Sequence, residues 1–148
     1  MTDRARFAEE IVVGEVVLLG QRRLSQEEII DFATLWDPQP FHVDPAHRDH
    51  PRFDGVIASG VQTMAVLQRM CVDGVFSTWR VVAGRSLRDV VFHRPVPPEL
   101  ELRGEAVVES VEFDRPRMAL VHMRSALCDA DGQPVLSMAT DTYVERRD

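Results

Sequence analysis

The run from Ser59 to Gly74 constrains the fold more than any other part of the chain. Val61, Met64, Ala65, Val66, Leu67, Met70, Cys71 and Val72 cover most of the circumference of a helix drawn through it. Gln62, Arg69 and Asp73 are left in a narrow polar stripe. A helix that apolar is expected to be surrounded by protein. Ser59 has the chemistry of its N-cap and Gly74 that of its C-terminal stop. What could surround it reads as strand: roughly residues 80–92, 100–113, 117–128 and 135–144, the later ones separated by the turn sequences Asp114-Arg115-Pro116 and Asp131-Gly132-Gln133-Pro134. Period two is clearest in the third segment, where Ala119, Val121, Met123, Ser125 and Leu127 oppose Met118, Leu120, His122, Arg124 and Ala126. Strands of this length exceed the usual and imply strong curvature. The expected architecture is a single α+β domain over residues 1–148, with a long curved antiparallel sheet wrapped around one central hydrophobic helix.

The first third of the chain is organised by local signals. Val12, Val13 and Val16 to Leu19 predict an opening strand or two, broken at Gly14. Ser25-Gln26-Glu27-Glu28 is a capping box that starts a helix over about Gln26 to Leu35. Pro38 ends it by disfavouring helical geometry at Asp37. Asp37 to Asp54 holds four prolines and no sustained period, which predicts an ordered loop with one helical turn near Pro45 to Arg48. The formal charge of −7 comes with no cluster of Lys and Arg, so a nucleic-acid partner is not expected. Cys71 and Cys128 suggest neither a disulfide framework nor a metal site, and read as buried thiols of a cytoplasmic protein. The charged start, Met1 to Glu10, and the lack of any run of ~20 apolar residues predict neither export nor a membrane span.

The chemistry concentrates in Asp37-Pro38-Gln39-Pro40-Phe41-His42 and in Ser59-Gly60. The prolines fix a carboxylate and an imidazole on one short connection. Ser59-Gly60 opens the apolar helix, where amides lack partners and the macrodipole is positive. Such a set suits acid/base work on a polarised carbonyl. Trp36 and Phe41 flank the motif as packing residues. His47 and His50, with Asp44 and Asp49, match no recognised metal-ligand spacing, and His93 and His122 on strands read as packed or surface residues.

Phe32-Ala33 ahead of Asp37, then Gln39-Pro40-Phe41-His42-Val43-Asp44, then Phe53-Asp54-Gly55-Val56-Ile57-Ala58-Ser59-Gly60, resemble the signature of the MaoC-like, (R)-specific enoyl-CoA hydratase family. The resemblance continues faintly through Pro95-Val96. It implies the hot-dog fold and the reversible addition of water to 2-enoyl thioesters, giving (R)-3-hydroxyacyl thioesters, with no cofactor and no metal. It further implies that Asp37 and His42 hold and activate the water, that the Gly60 amide receives the thioester carbonyl, and that Ser59 helps position the pair. The implied partners are an acyl-CoA or acyl-carrier-protein thioester and further copies of the chain, as a homodimer or higher homo-oligomer. Arg85, Arg88 and Arg94 are candidates to meet coenzyme A phosphates. Three positions depart from the pattern: Gln39 stands where the family usually has Asn, Asp54 where a second glycine is usual, and Glu99-Leu100 where a Gly-Asp pair is common. A hot-dog acyl-CoA thioesterase and a non-catalytic acyl-thioester-binding subunit remain the alternatives.

Overall fold

The computed structural model describes residues 4–148. After a short 3-10 turn at Ala8–Glu10 come strand β1 (Val16–Arg22), helices α1 (Gln26–Trp36), α2 (Pro40–Val43) and α3 (Gly60–Gly74), a second 3-10 turn at Phe76–Thr78, and strands β2 (Val81–Phe92), β3 (Leu102–Glu112), β4 (Met118–Cys128) and β5 (Pro134–Glu145). Strands β2 to β5 begin and end within two residues of the four segments expected. The start of the chain differs. Val12 and Val13 are exposed ahead of a turn at Gly14, where φ is +87°, so there is one opening strand and it begins at Val16. Among the described residues, no helix is long and apolar enough to cross a membrane.

Helix α1 begins as its sequence dictates. The Ser25 hydroxyl accepts from the Glu28 amide at 3.1 Å, and the Glu28 carboxylate accepts from the Ser25 amide at 3.4 Å. It ends with the Asp37 amide donating to the Ala33 carbonyl at 2.8 Å, one residue before the proline that cannot continue it. The helical turn expected near Pro45 falls instead at Pro40–Val43. Pro40 occupies its first turn, where a missing N–H costs nothing, and Gln39 is the N-cap.

All five strands form one antiparallel sheet in the order β1-β3-β4-β5-β2. The α+β class is as expected, but the sheet does not wrap the helix. It is open: β1 pairs only with β3 and β2 only with β5, so each is an edge. Helix α3 lies on one face, against β1, β3 and β4. Leu67, Met70 and Cys71 are buried there, whereas Val61 is 58% and Val72 40% exposed on the far side. The reason is one of supply. Closure would need β1 to reach β2, and a single layer of strands covers a single face of a helix. An apolar circumference reports a demand for burial without reporting whether this chain meets it.

The predicted polar stripe of α3 is corrected in the same way. Arg69 and Asp73 are exposed and pair with each other at 2.9 Å. Gln62 is buried, and its amide nitrogen donates to the Glu28 carbonyl at 3.0 Å, tying α3 to the first turn of α1. Each fully buried apolar side chain of α3 contributes about 1.5–3 kcal/mol. Leu67→Ala is the single change expected to loosen the helix most, at about 2–5 kcal/mol. Cys71 belongs to this core, and burial pushes its thiol up to about 11, partly offset by the nearby Ser125 hydroxyl.

Candidate active site

The end of α1, the whole of α2 and the start of α3 meet at the Asp37 carboxylate. Its Oδ1 accepts from the Gln39 amide nitrogen at 2.7 Å. Its Oδ2 accepts from the Ser59 hydroxyl, also at 2.7 Å, and stands 3.3 Å from His42 Nε2. The Ser59 hydroxyl first, then the Gln39 amide, with a smaller contribution from the His42 charge, hold the Asp37 carboxyl below the usual carboxylate range against the opposing effect of its partial burial. The Gln39 departure is thus accommodated: its extra methylene lets the amide fold back onto the carboxylate two residues before it.

His42 sits on α2 and is 5% exposed. Its Nδ1 lies 2.7 Å from the Ile57 carbonyl oxygen. A carbonyl only accepts, so Nδ1 carries the hydrogen and Nε2 is the atom free to take and release a proton beside Asp37. The Phe41 ring packs edge-on to the imidazole with centroids 4.4 Å apart, the packing role expected of it. Trp36, expected to pack alongside, is instead 71% exposed, because it lies on the open side of the last turn of α1.

Ser59 is an N-cap and a partner of Asp37 at once. The oxygen that donates its hydrogen to Asp37 accepts from the Val61 amide at 3.3 Å. The next residue, Gly60, opens α3, and among the described residues its N–H has no acceptor. Asp37, Gln39, His42 and Gly60 all line one cavity of about 590 Å³. One part of its wall is polar, with Arg52, His93 and Arg94 joining the acid and the imidazole. The rest is apolar, with Ile57, Val61, Met64, Phe92 and Val96.

All five residues singled out in the sequence are therefore brought together. Several others were missed. The Ile57 carbonyl that sets the His42 tautomer has no side-chain signature at all. Phe92 reaches the cavity from β2, distant in sequence, and Arg52 from the loop between α2 and α3. Of the three arginines considered for phosphate contacts, Arg94 lines the cavity and is held by Asp129. Arg85 lines a different cavity, and Arg88 is committed to Asp141 at 2.6 Å. His50 stacks on Phe53 with centroids 3.7 Å apart, and no cluster of three or more His, Cys, Asp or Glu among the described residues is arranged to hold a metal. Glu99, in place of a common glycine, adopts φ +64°, the left-handed conformation glycine takes freely. Its amide donates to the Leu24 carbonyl, and its own carbonyl accepts from Arg23.

Comparisons with known proteins converge on this architecture. A family model described as the MaoC like domain matches residues 7–124. The Bacillus subtilis protein YdeM is 34% identical over 94 residues, covering 64% of this chain and 67% of its own. A solved MaoC-like dehydratase from Rhodospirillum rubrum is 28% identical, covers 97% of this chain and 99% of its own, and superposes with a TM-score of 0.81. The (R)-hydratase from A. caviae involved in PHA biosynthesis is 21% identical, covers 94% of this chain and 99% of its own, with a TM-score of 0.73, a likeness of fold. The shared architecture is α+β and hot-dog-like, an antiparallel sheet with a helix on one face.

Proposed function

The chain belongs to the MaoC-like domain family of hydratases and dehydratases, and from that membership we propose that it adds water reversibly to the double bond of 2-enoyl thioesters. The observation that carries this reading is the Asp37–His42 pair, 3.3 Å apart, sharing a cavity with the Gly60 amide, which has no acceptor among the described residues. Hydration needs a base for water, a proton for C2 and a donor for the oxygen that becomes enolate-like. In the proposed reaction the water is held between Asp37 Oδ2 and His42 Nε2. As its oxygen bonds C3, one water proton passes to Nε2 and the electron pair of the double bond moves towards the thioester carbonyl. The Gly60 N–H stabilises that oxygen. The proton on Nε2 then passes to C2, leaving hydroxyl at C3, hydrogen at C2 and the pair as it began. Asp37, held ionised by Ser59 and Gln39, orients the water and steadies the transient imidazolium.

The finer readings rest on the family resemblance: (R) configuration at C3, coenzyme A or acyl carrier protein as carrier, and a cytoplasmic setting that suits two free cysteines. A homodimer is supported by the uncovered apolar surface. Edge strand β2 is exposed along nearly its whole length, including Val82, Leu87, Val91 and Phe92, beside Val61 and Val72 of α3. A long apolar edge is a template for pairing, and a second copy would cover it.

Incubation with trans-2-butenoyl-CoA tests the reaction. Loss of the enoyl absorbance without release of thiol is expected. Release of free thiol would make the protein a thioesterase, and binding without turnover would make it a non-catalytic subunit. Analysis of the product with a stereospecific 3-hydroxyacyl-CoA dehydrogenase checks the configuration.

A further inference from the structure

The ring of Phe92 lies on Gly60. A Cβ built on that glycine would stand 2.8 Å from the ring Cζ and 2.9 Å from a ring Cε, closer than side chains pack. This contact depends on a device in β2. Arg88 pairs with Ala139 and Val91 with Ser137, so three steps along β2 match two along β5, and one extra residue is accommodated between them. Asp89 within that stretch has φ +54°, an uncommon conformation for a residue with a side chain. The bulge reverses the facing of the residues after it. Phe92 now pairs with Leu136, which is fully buried in the core beneath α3. In an unbroken strand it would face away from the helix. The bulge thus turns an aromatic ring from the outer face of the sheet onto the first turn of α3 and into the wall of the cavity that holds Asp37 and His42.

We propose that Phe92 is a specificity-determining residue, whose ring limits the bulk an acyl group can carry at C2, beside the thioester carbonyl. This rests on the reading of Gly60 as the carbonyl donor. A carbonyl oxygen accepting from the Gly60 N–H brings C1 and C2 to the helix turn that the ring covers, since the N–H and the covered Cα are bonded neighbours. A straight 2-enoyl group carries only hydrogen at C2, whereas a methyl substituent there extends towards the ring. In the single chain Phe92 is 51% exposed and lies outside the buried core cluster, so truncating it removes the wall without opening a void in the chain's own core.

The test compares trans-2-butenoyl-CoA with trans-2-methyl-2-butenoyl-CoA in the parent, Phe92→Ala and Phe92→Leu. The ratio of kcat/KM for the methylated over the plain substrate is expected to rise about tenfold or more in Phe92→Ala, the scale on which a pocket discriminates one methyl group. The rise is expected to be smaller in Phe92→Leu, which also serves if the alanine variant does not fold. Intrinsic reactivity of the two substrates cancels between variant and parent. A second arm measures calorimetric binding of butyryl-CoA and 2-methylbutyryl-CoA, where the same shift in the Kd ratio is expected without turnover. If the parent hydrates no enoyl-CoA, the proposed reaction fails while the binding ratio still decides the role of Phe92. Ratios unchanged in both variants, or absence of acyl-CoA binding by the parent, overturn the proposal.

Discussion

Ser59 Oγ donates to Asp37 Oδ2 at 2.7 Å across 22 residues of chain, and the same oxygen caps α3 through the Val61 amide. One hydroxyl therefore joins the acid of the site to the helix that presents Gly60. Removing it has two separable consequences. Ser59→Ala should lower stability by about 0.5–2 kcal/mol through the lost cap, read from chemical denaturation. It should also move the acid limb of the kcat/KM profile to higher pH, because the hydrogen bond that most depresses the Asp37 carboxyl is gone. The sign in stability agrees: a depressed folded value contributes stability above the ordinary carboxylate range, lost as pH falls through the folded value, and Ser59→Ala should show a smaller loss of this kind. An unmoved acid limb would detach Asp37 ionisation from turnover.

Asp37→Asn and His42→Ala should each cut hydration of butenoyl-CoA by about 10²–10⁴-fold, the usual worth of a positioned acid or base. Circular dichroism and the thermal midpoint should show both variants folded. Near-parental rates in both would remove the pair from the mechanism.

Gly60→Ala puts a methyl group where the Phe92 ring lies. The ring is the end of a half-exposed side chain and can swing, so the expected cost to stability is about 0.5–1.5 kcal/mol. Turnover should suffer more, by about 10²-fold, because the added carbon holds the carbonyl away from the amide. A thermal melt beside a kcat/KM measurement separates the two effects. A variant that loses stability but keeps full activity would exclude the Gly60 amide as the donor.

Asp141 tests the outer face of the sheet. It is 4% exposed, and its carboxylate accepts from Arg88 at 2.6 and 2.7 Å and from Ser86 and His122. The Arg88 guanidinium, foremost, holds it well below the usual carboxylate range. Its contribution to stability is present above that range and is lost as pH falls through the folded value. Asp141→Asn should be less stable by about 1–3 kcal/mol at neutral pH. Denaturation at pH values stepped downwards through ~4 should show a shallower loss than in the parent. Equal slopes would mean that Asp141 does not dominate the acid sensitivity.

The uncovered edge makes its own prediction. Sedimentation of the parent at about 10 µM should give twice the chain mass, a concentration at which an interface of ordinary size holds. Leu87→Lys, which places a charge on β2, should shift it towards the monomer. A parent that sediments as a monomer would rule out the homodimer.

What the sequence determined by itself is what is local. The Ser25–Glu28 capping box, the stop at Pro38 and the period of two in β4 each act within a few residues, and each element appears where its signal lies. That the residues of the candidate site would lie together was legible for the same reason: Asp37, Gln39 and His42 sit on one proline-stiffened connection, and Ser59-Gly60 marks a helix start. Tertiary structure alone decided the rest. The apolar circumference of α3 stated a need for burial, while the number and order of strands left Val61 and Val72 uncovered. The Ile57 carbonyl fixed the proton on His42 through a backbone atom that every residue carries. Phe92 faces Gly60 because of a register difference between β2 and β5, a property of two paired strands that neither strand's own periodicity contains.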